Sequence, residues 1–416
     1  MKGPRMLFDT VTNAASATIP SSENAVVAGG FAAVGDSQEP LNYRRRSSAP
    51  TTHTMYFQSA DGAYWEYTPG PNGVNLVAAG ATTGATNNSP AWEKAAVFAE
   101  QYGVSVTGYQ AHFCDLFVPA NVFKFTESIR WNPGCFGVSA YGACLIFSSA
   151  AAHGVHVQSS VPEDGTAYRQ NRSVFRGAVI YGANVSGSDG LRFVPSAHTA
   201  AHICIRDCVV LGWHRGTVFG ANAYLIKFEN CGFIFNNYGI TDMGWVANGG
   251  ENISFCDCVI AGNQISGTAL ANPSGTYNFV NCSIDHNGEA PTGGQYQLSV
   301  YDAVATFTNC HIEGFTKPII LGNNLYGTTN SKISFHGGYL LNSNDMGSTP
   351  FVDIQDGGYV TFIGVMLAAN PGTDTPIKVR SGGSFVDVDC YYNYPATVID
   401  ADSGSRRNSL NPILVP

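Results

Sequence analysis

The sequence predicts an all-β chain: a parallel β-helix, or solenoid of stacked coils, behind a capping helix and a small amino-terminal segment. Three observations lead there. First, Gly accounts for 47 of the 416 residues, 44% are apolar and only 12% are charged, against about 25% charged in an ordinary soluble domain. A helical bundle needs more charge and a disordered chain has fewer apolar residues, which leaves strands joined by many tight turns. Second, a short phrase recurs with the pattern apolar, any, Asn or Asp, Cys, any, apolar. It reads IRDCVV to Val210, FENCGF to Phe233, FCDCVI to Ile260, FVNCSI to Ile284 and FTNCHI to Ile312, and its cysteines at 208, 231, 258, 282 and 310 step by 23, 27, 24 and 28 residues. Third, each unit carries another apolar stretch introduced by Gly or Pro, as in GTVFG from Gly216, GITDM from Gly239, GTALA from Gly267, PIILG from Pro318, PFVDI from Pro350 and PIKVR from Pro376. Such units are too short for βαβ crossovers, so each reads as one coil stacked on the last at about 4.8 Å.

Taken in order, residues 1–72 hold short strand-like stretches, many small residues and no repeat, and form an amino-terminal segment suited to attachment. Residues 73–150 make the cap and first coils. Within them AWEKAAVFAEQYG (91–103) has helical spacing through Trp92, Ala96, Val97, Ala99 and Tyr102. Asn88 or Ser89 can cap its start and Gly103 its end. A helix here covers the open first coil, whose strand edges and core would otherwise face water. The stretches 116–131 and 137–149 are strand-rich. The β-helix proper occupies 151–390, opening with FRGAVI to Ile180 and continuing past Ile312 through FHGGYL to Leu340 and FIGVML to Leu367, where Gly338 and Val365 replace Cys. Asp389-Cys390 closes the series, and 391–416 supply a last coil and tail.

Each position of the phrase has a physical use. Phe228, Phe255, Phe279, Phe307, Phe335 and Phe362 point inward as an aromatic ladder. Asp207, Asn230, Asp257, Asn281 and Asn309 take the left-handed corner that Asn and Asp tolerate. The Cys that follows acts as a small buried hydrophobe. The eleven cysteines are an odd number without a disulfide framework or paired CxxC motifs, and the corner cysteines read as reduced core residues instead of disulfide or zinc ligands. Cys204 and Cys256 fall on outward alternate positions and have no assigned role.

The formal charge of −9 and the lack of any basic cluster beyond Arg44-Arg45-Arg46 exclude a nucleic-acid partner. The arginine triplet reads as a solvated loop. No apolar run is long enough to span a membrane. The start, MKGPRMLFDTVTNAAS, lacks a secretory apolar region, so the expected location is reached without a signal peptide.

The order of VNLVAAGATTG (74–84), the capping helix, VPANVFKF, VSAYGACLIF and the repeated NC coils resembles the pectate-lyase-like right-handed parallel β-helix superfamily. FDTVTNAASATIPSSENAVVAGGFAAVGD (8–36) with FQSADGAYWEY (57–67) is similar to the amino-terminal region of phage and prophage tailspikes. An acidic stretch usual in that family before the helix is replaced by GATTGATNN (80–88). The resemblance implies a homotrimeric virion protein, with other tail proteins as partners, that binds and often cleaves a bacterial surface polysaccharide by hydrolysis or β-elimination.

Stacking makes equivalent positions of adjacent coils into neighbours. Asp285 and Glu313 each lie three residues after a ladder cysteine, while the same position elsewhere holds Leu211, Ile234, Ala261, Leu341 and Ala368. Carboxylates stacked at about 4.8 Å suit a retaining glycosidase, and splaying reaches the inverting range. Their mutual repulsion raises one pKa, leaving one acid and one base. His286 and His311 stand beside them for proton transfer or hydroxyl binding, and NGEAPTGGQ (287–295) follows as a loop. The competing reading is two solvated surface acids. A second group, Trp213, His214, Arg215, Glu229, Asp242 and Trp245, offers aromatic faces and polar partners for sugar binding, or equally a trimer interface. Asp353, Asp356, Asp400 and Asp402 supply oxygens for a Ca²⁺ if the chemistry is that of a lyase, and otherwise no cofactor is expected.

The expected protein is thus a tailspike on a phage tail or in the extracellular space, with Asp285 and Glu313 as its carboxylate pair. Two other readings stand beside it: a non-enzymatic adhesin or structural spike, and a stand-alone polysaccharide lyase.

Overall fold

The computed structural model describes residues 5–102, 105–106, 109–110, 114–158, 173–194, 199–244, 246, 249–289, 295–314, 317–322, 331–342, 346, 349–369, 376–393, 399–410 and 413–415. The chain divides into two compact units, Met1–Tyr181 and Gly182–Pro416.

In the first unit the amino-terminal stretches form a five-stranded sheet in the order Arg5–Phe8, Ala25–Ala28, Leu41–Arg46, Tyr64–Thr68, Tyr56–Gln58, parallel between the first two strands and antiparallel elsewhere. Tyr43, Met55, Trp65 and Tyr67 bury its face. The arginine triplet lies on the strand Leu41–Arg46 and not in a loop. Arg45 stacks 4.5 Å over Trp65 and donates to the carbonyls of Ile19, Pro20 and Glu23, while Arg44 and Arg46 pair with Glu66. Sheet pairing against the aromatic strand gives the guanidinium a π-face and carbonyls to bind, which a charge run alone does not reveal.

The capping helix spans Ser89–Tyr102 and buries Trp92, Ala95, Ala96, Phe98 and Ala99. Asn87, rather than Asn88, supplies the side-chain oxygen at its start, accepting from Ser89 N at 2.9 Å. Asn88 instead ties the turn at Thr82 to Lys124. Trp92 donates to the Arg130 carbonyl at 2.8 Å, and the Arg130 side chain clamps Glu93 and Glu100 of the helix. The first coil strands, Val122–Phe125, Val138–Phe147 and Val174–Tyr181, then stack in parallel.

The second unit repeats a coil of three strands. The first strand precedes the Asn/Asp corner, the second follows it, and the third carries the Gly/Pro-introduced stretch, as in Ala223–Glu229, Gly232–Ile234 and Tyr238–Asp242. Every strand pairs in parallel with its counterpart one coil on. Asp207, Asn230, Asp257, Asn281, Asn309 and Asp389 all have φ between 51° and 55°. The phenylalanine ladder stacks at 4.8, 4.9, 4.7 and 4.6 Å from Phe228 to Phe335 with interplanar angles below 10°. It turns edge-on at Phe362, and the next residue in register is the buried Asp387, bound by the Tyr392 and Ser409 hydroxyls.

The thiols of Cys231, Cys258, Cys282 and Cys310 donate to carbonyls of the preceding coil at 3.4–3.8 Å. All eleven cysteines are free, and those at the corners, with Cys390, are buried. Cys204 is half-buried, and desolvation with the Glu229 carboxylate beside it pushes its thiol up to about 11. A thiol reagent at pH 8 is therefore expected to label Cys204 and Cys256 slowly and to leave Cys208, Cys231, Cys258, Cys282, Cys310 and Cys390 untouched until denaturant is added. Rapid native labelling of the corner cysteines would contradict this packing.

A second interior ladder lies five residues after the cysteines. Asn236, Asn263 and Asn287 are fully buried and linked side chain to side chain at 3.2 and 2.8 Å. Each also donates to a carbonyl of the coil before, Val210, Phe233 and Ile260 respectively.

Candidate functional site

Asp285 ends the strand Ser283–Asp285 and Glu313 ends His311–Glu313, and the two are direct partners in the parallel pairing. Ile234, Ala261, Leu341 and Ala368 occupy the same column in the coils on either side. The strand alternation aims Ile284 and Ile312 inward, where both are fully buried, and leaves the two carboxylates outward.

The two acids differ in their surroundings. Asp285 Oδ2 accepts from the Ser283 hydroxyl at 2.5 Å, while Oδ1 is buried with no hydrogen-bond partner among the described residues. Burial, reinforced by the Glu313 charge, raises the Asp285 carboxyl above the usual aspartate range. Glu313 is more open and lies 3.3 Å from His311 Nε2. His286 takes a left-handed backbone (φ 50°) and packs over Gly314, so that a Cβ there would come within 2.5 Å of the imidazole. Its Nδ1 is 3.3 Å from Glu289. One carboxyl held towards its protonated form beside a second, more open carboxyl is the pairing that glycan hydrolysis uses.

The backbone under the pair is fixed from inside. Asn287 N donates to Gln297 Oε1 at 2.8 Å, and Gln297 Nε2 reaches the carbonyls of both Ile284 and Glu313, at 2.7 and 3.1 Å. One buried amide therefore bridges the two coils that carry the acids. Ser283, Asn287 and Gln297 were not singled out from sequence, although counting five positions on from Cys231, Cys258 and Cys282 finds Asn each time. The loop that follows Asp285 has residues 290–294 outside the described residues.

The second group does not assemble. Trp213 sits at the same repeat position as the interior asparagines, five after Cys208, and is 1% exposed, so its ring offers no face to a sugar. Its backbone N–H donates to Asn236 Oδ1 at the top of that ladder. Arg215 is held 2.5 Å from Asp189, a fully buried carboxylate that also takes Arg192. His214 contacts Asn237 and the edge of Tyr238, and burial with Arg215 nearby lowers its pKa. Glu229 lies on a first strand, separate from the 213–215 turn, where Lys227 and Arg206 hold it ionised. Asp242 accepts from Gly244, Ala271, Asn272 and Tyr277, which makes it a brace between coils, and burial raises its pKa. Trp245 lies outside the described residues.

The four candidate Ca²⁺ ligands form no oxygen cage. Asp353 is bound by both guanidinium arms of Arg380, and Asp400 and Asp402 share Lys378. Among the described residues no three His, Cys, Asp or Glu side chains cluster as metal ligands.

No protein-family model matches the sequence. The fold does match solved structures. Over 98% of its length the chain is similar to the enzymatically active domain of tailspike protein 4 of bacteriophage CBA120, with a TM-score of 0.65, 15% identity and 54% of that chain covered. It is likewise similar to full-length tailspike protein 2 of an Escherichia coli O157:H7 bacteriophage, with 98% of this chain and 51% of that one covered, a TM-score of 0.58 and 9% identity. The gp42 tailspike of an Acinetobacter phage matches at a TM-score of 0.54 and 10% identity, over 96% of this chain and 75% of that one. The chain spans about half the length of the first two, and the likeness establishes the parallel β-helix of tailspikes as its fold.

Proposed function

We propose that the protein is a tailspike of a phage-type virion that binds a bacterial surface polysaccharide and hydrolyses it at Asp285 and Glu313. The observation that carries this reading is the registered carboxyl pair, one member half-buried with a raised pKa and an oxygen that has no partner among the described residues, the other more open and beside His311. The β-helix shared with a tailspike domain described as enzymatically active supports it.

In this reading Asp285 gives its proton to the glycosidic oxygen as the C–O bond breaks. Glu313 acts on the opposite side of the anomeric carbon, either as nucleophile or as the base that takes a proton from the incoming water. Water supplies the oxygen that the new reducing end gains; its proton goes to Asp285 directly when Glu313 is the nucleophile, and to Glu313 and on through solvent to Asp285 when Glu313 is the base. His311 and His286 orient hydroxyls and steady the charge of Glu313 and Glu289. Assembly is as a homotrimer joined to other tail proteins, with residues 1–72 in the attachment.

The test is incubation of purified protein with a panel of capsular and exopolysaccharides, comparing wild type with the Asp285→Asn/Glu313→Gln double variant. New reducing ends are expected with wild type alone. Full activity in the double variant would remove these residues from the chemistry, and tight binding without any cleavage would make the protein an adhesin. A light-scattering mass of one chain would overturn the trimer.

A further inference from the structure

The second-strand face carries a charge pattern that bears on which glycan fits it. From Val209–Leu211 through Ser283–Asp285 and His311–Glu313 to Ile413–Val415, none of these strands contains Lys or Arg. The cations of the second unit's strands lie on the other two faces, as Arg206, Lys227, Lys332, Arg406 and Arg407 on first strands and Arg192, Arg215 and Lys378 on third strands, with Arg380 directly after the third strand Ile377–Val379. Residues 229–377 contain twelve Asp or Glu against two lysines. One of the two, Lys317, makes no ion pair with Asp285 or Glu313 among the described residues.

Next to the acids the same face turns aromatic and apolar. The outward column Ser283, His311, Tyr339, Met366, Tyr391 is continuous in the strand pairing. The His311 and Tyr339 rings are 5.5 Å apart, and Met366 and Tyr391 are 44% and 45% exposed. Three coil steps of about 4.8 Å place Tyr391 about 14 Å beyond His311.

We propose that this face is the glycan track and that it takes a neutral polysaccharide, stacked on Tyr339 and Tyr391, instead of a polymer bearing uronate or sialate carboxylates. The proposal rests on the hydrolase reading of Asp285 and Glu313 and adds its substrate class. The physical case has two parts. A polyanion laid along a track that holds Glu313 and Glu289 meets like charge within a Debye length and finds no guanidinium to pair its carboxylates. The apolar faces of uncharged pyranoses, in contrast, match the exposed Tyr391 ring and the half-buried Tyr339 ring, which give contact area at little entropic cost. β-Elimination beside a uronate also needs cationic donors for the enolate that develops, and this face has none among its described strands.

The experiment uses the full chain with a uronate-bearing polysaccharide and its carboxyl-reduced derivative, which keeps every linkage and removes the charge. Binding is read by calorimetry at low and moderate salt, and cleavage by reducing ends and by absorbance of unsaturated product. The reduced polymer is expected to bind at least about tenfold tighter at low salt, with the gap narrowing as salt screens the face. Cleavage should release reducing ends without unsaturated product. Tyr339→Ala and Tyr391→Ala are each expected to weaken binding by about three- to tenfold, as for loss of one aromatic contact. Preference for the uronate polymer, or unsaturated product, overturns the substrate class while leaving a depolymerase. Tyrosine variants that lower the oligomer mass but bind glycan normally assign the face to contact between copies and overturn the track. Failure of every polymer to bind or be cleaved removes the hydrolase reading, and this inference with it.

Discussion

Asp285→Asn is expected to lower the rate of polysaccharide hydrolysis by about 10²–10⁴-fold, the usual contribution of a positioned general acid, with the fold intact. The amide is isosteric and can still accept from the Ser283 hydroxyl, so the loss is of the proton alone. The stability signature separates this from a structural defect. Asp285 titrates above the usual aspartate range because burial disfavours its charged form. A raised folded-state pKa means that its favourable contribution is fully present below the unfolded value, about 3.9, and is lost as pH rises through the folded value. Above the ordinary aspartate range this raised pKa opposes folding, so at neutral pH the Asn variant should melt no lower than wild type, and any gain should vanish in acid. Glu313→Gln should cost activity in the same range, while its open position predicts no change in melting. The pH–rate profile should fall on the alkaline side where Asp285 loses its proton, above the range of an ordinary aspartate. A variant that melts early and loses activity in proportion would show the carboxyl to be structural.

The largest stability effect is expected at Asn263. Its side chain accepts from Asn236 N and Asn236 Nδ2 and donates to the Phe233 carbonyl and Asn287 Oδ1, at 3.1, 3.2, 2.9 and 2.8 Å. Asn263→Ala removes all four bonds: the Asn236 N–H loses its acceptor, while the Asn236 amide keeps Val210 and Asn287 Oδ1 keeps the Asn263 N–H. With about 1–3 kcal/mol for the orphaned N–H and about 1 kcal/mol for each of the other lost bonds, partly relieved by relaxation, the cost is about 3–5 kcal/mol. Chemical denaturation measures it, and a loss under about 1 kcal/mol would mean that water replaces the amide. The ladder runs on through Asn287 and Gln297 to the Glu313 carbonyl. Residual folded Asn263→Ala protein should therefore hydrolyse glycan more slowly, as the acid pair loses its register.

Much of the architecture was legible because a coil repeats. One phrase, met five times, placed the phenylalanine stack, the left-handed Asn/Asp corner and the buried thiols, and each position does the same job in every copy. The same stacking logic put Asp285 over Glu313, which is the pairing the strands adopt. Trp213 went wrong for a reason internal to that logic. Its place beside His214 and Arg215 suggests a surface aromatic, yet its phase, five after a ladder cysteine, is the interior position held by Asn236, Asn263 and Asn287. Arg45 is a related case, where a charge run suggested solvent and an aromatic strand beside it supplied a partner.

By itself the sequence determined the solenoid, its coil length, its inward ladders and the column in which two acids meet, because parallel stacking maps period directly onto contact. Only the tertiary structure decided which carboxylates are available. Asp189, Asp242, Asp353 and Glu229 are consumed by Arg215, Tyr277, Arg380, and Lys227 with Arg206. Several of these pairings join neighbouring coils through loops of differing length, so no fixed period announces them. Asp285 is left with a buried oxygen that has no partner among the described residues, at the outward end of a strand. Whether an acid braces the fold or stays poised for chemistry depends on what its neighbours across the stack can donate, and that is a property of the folded coils.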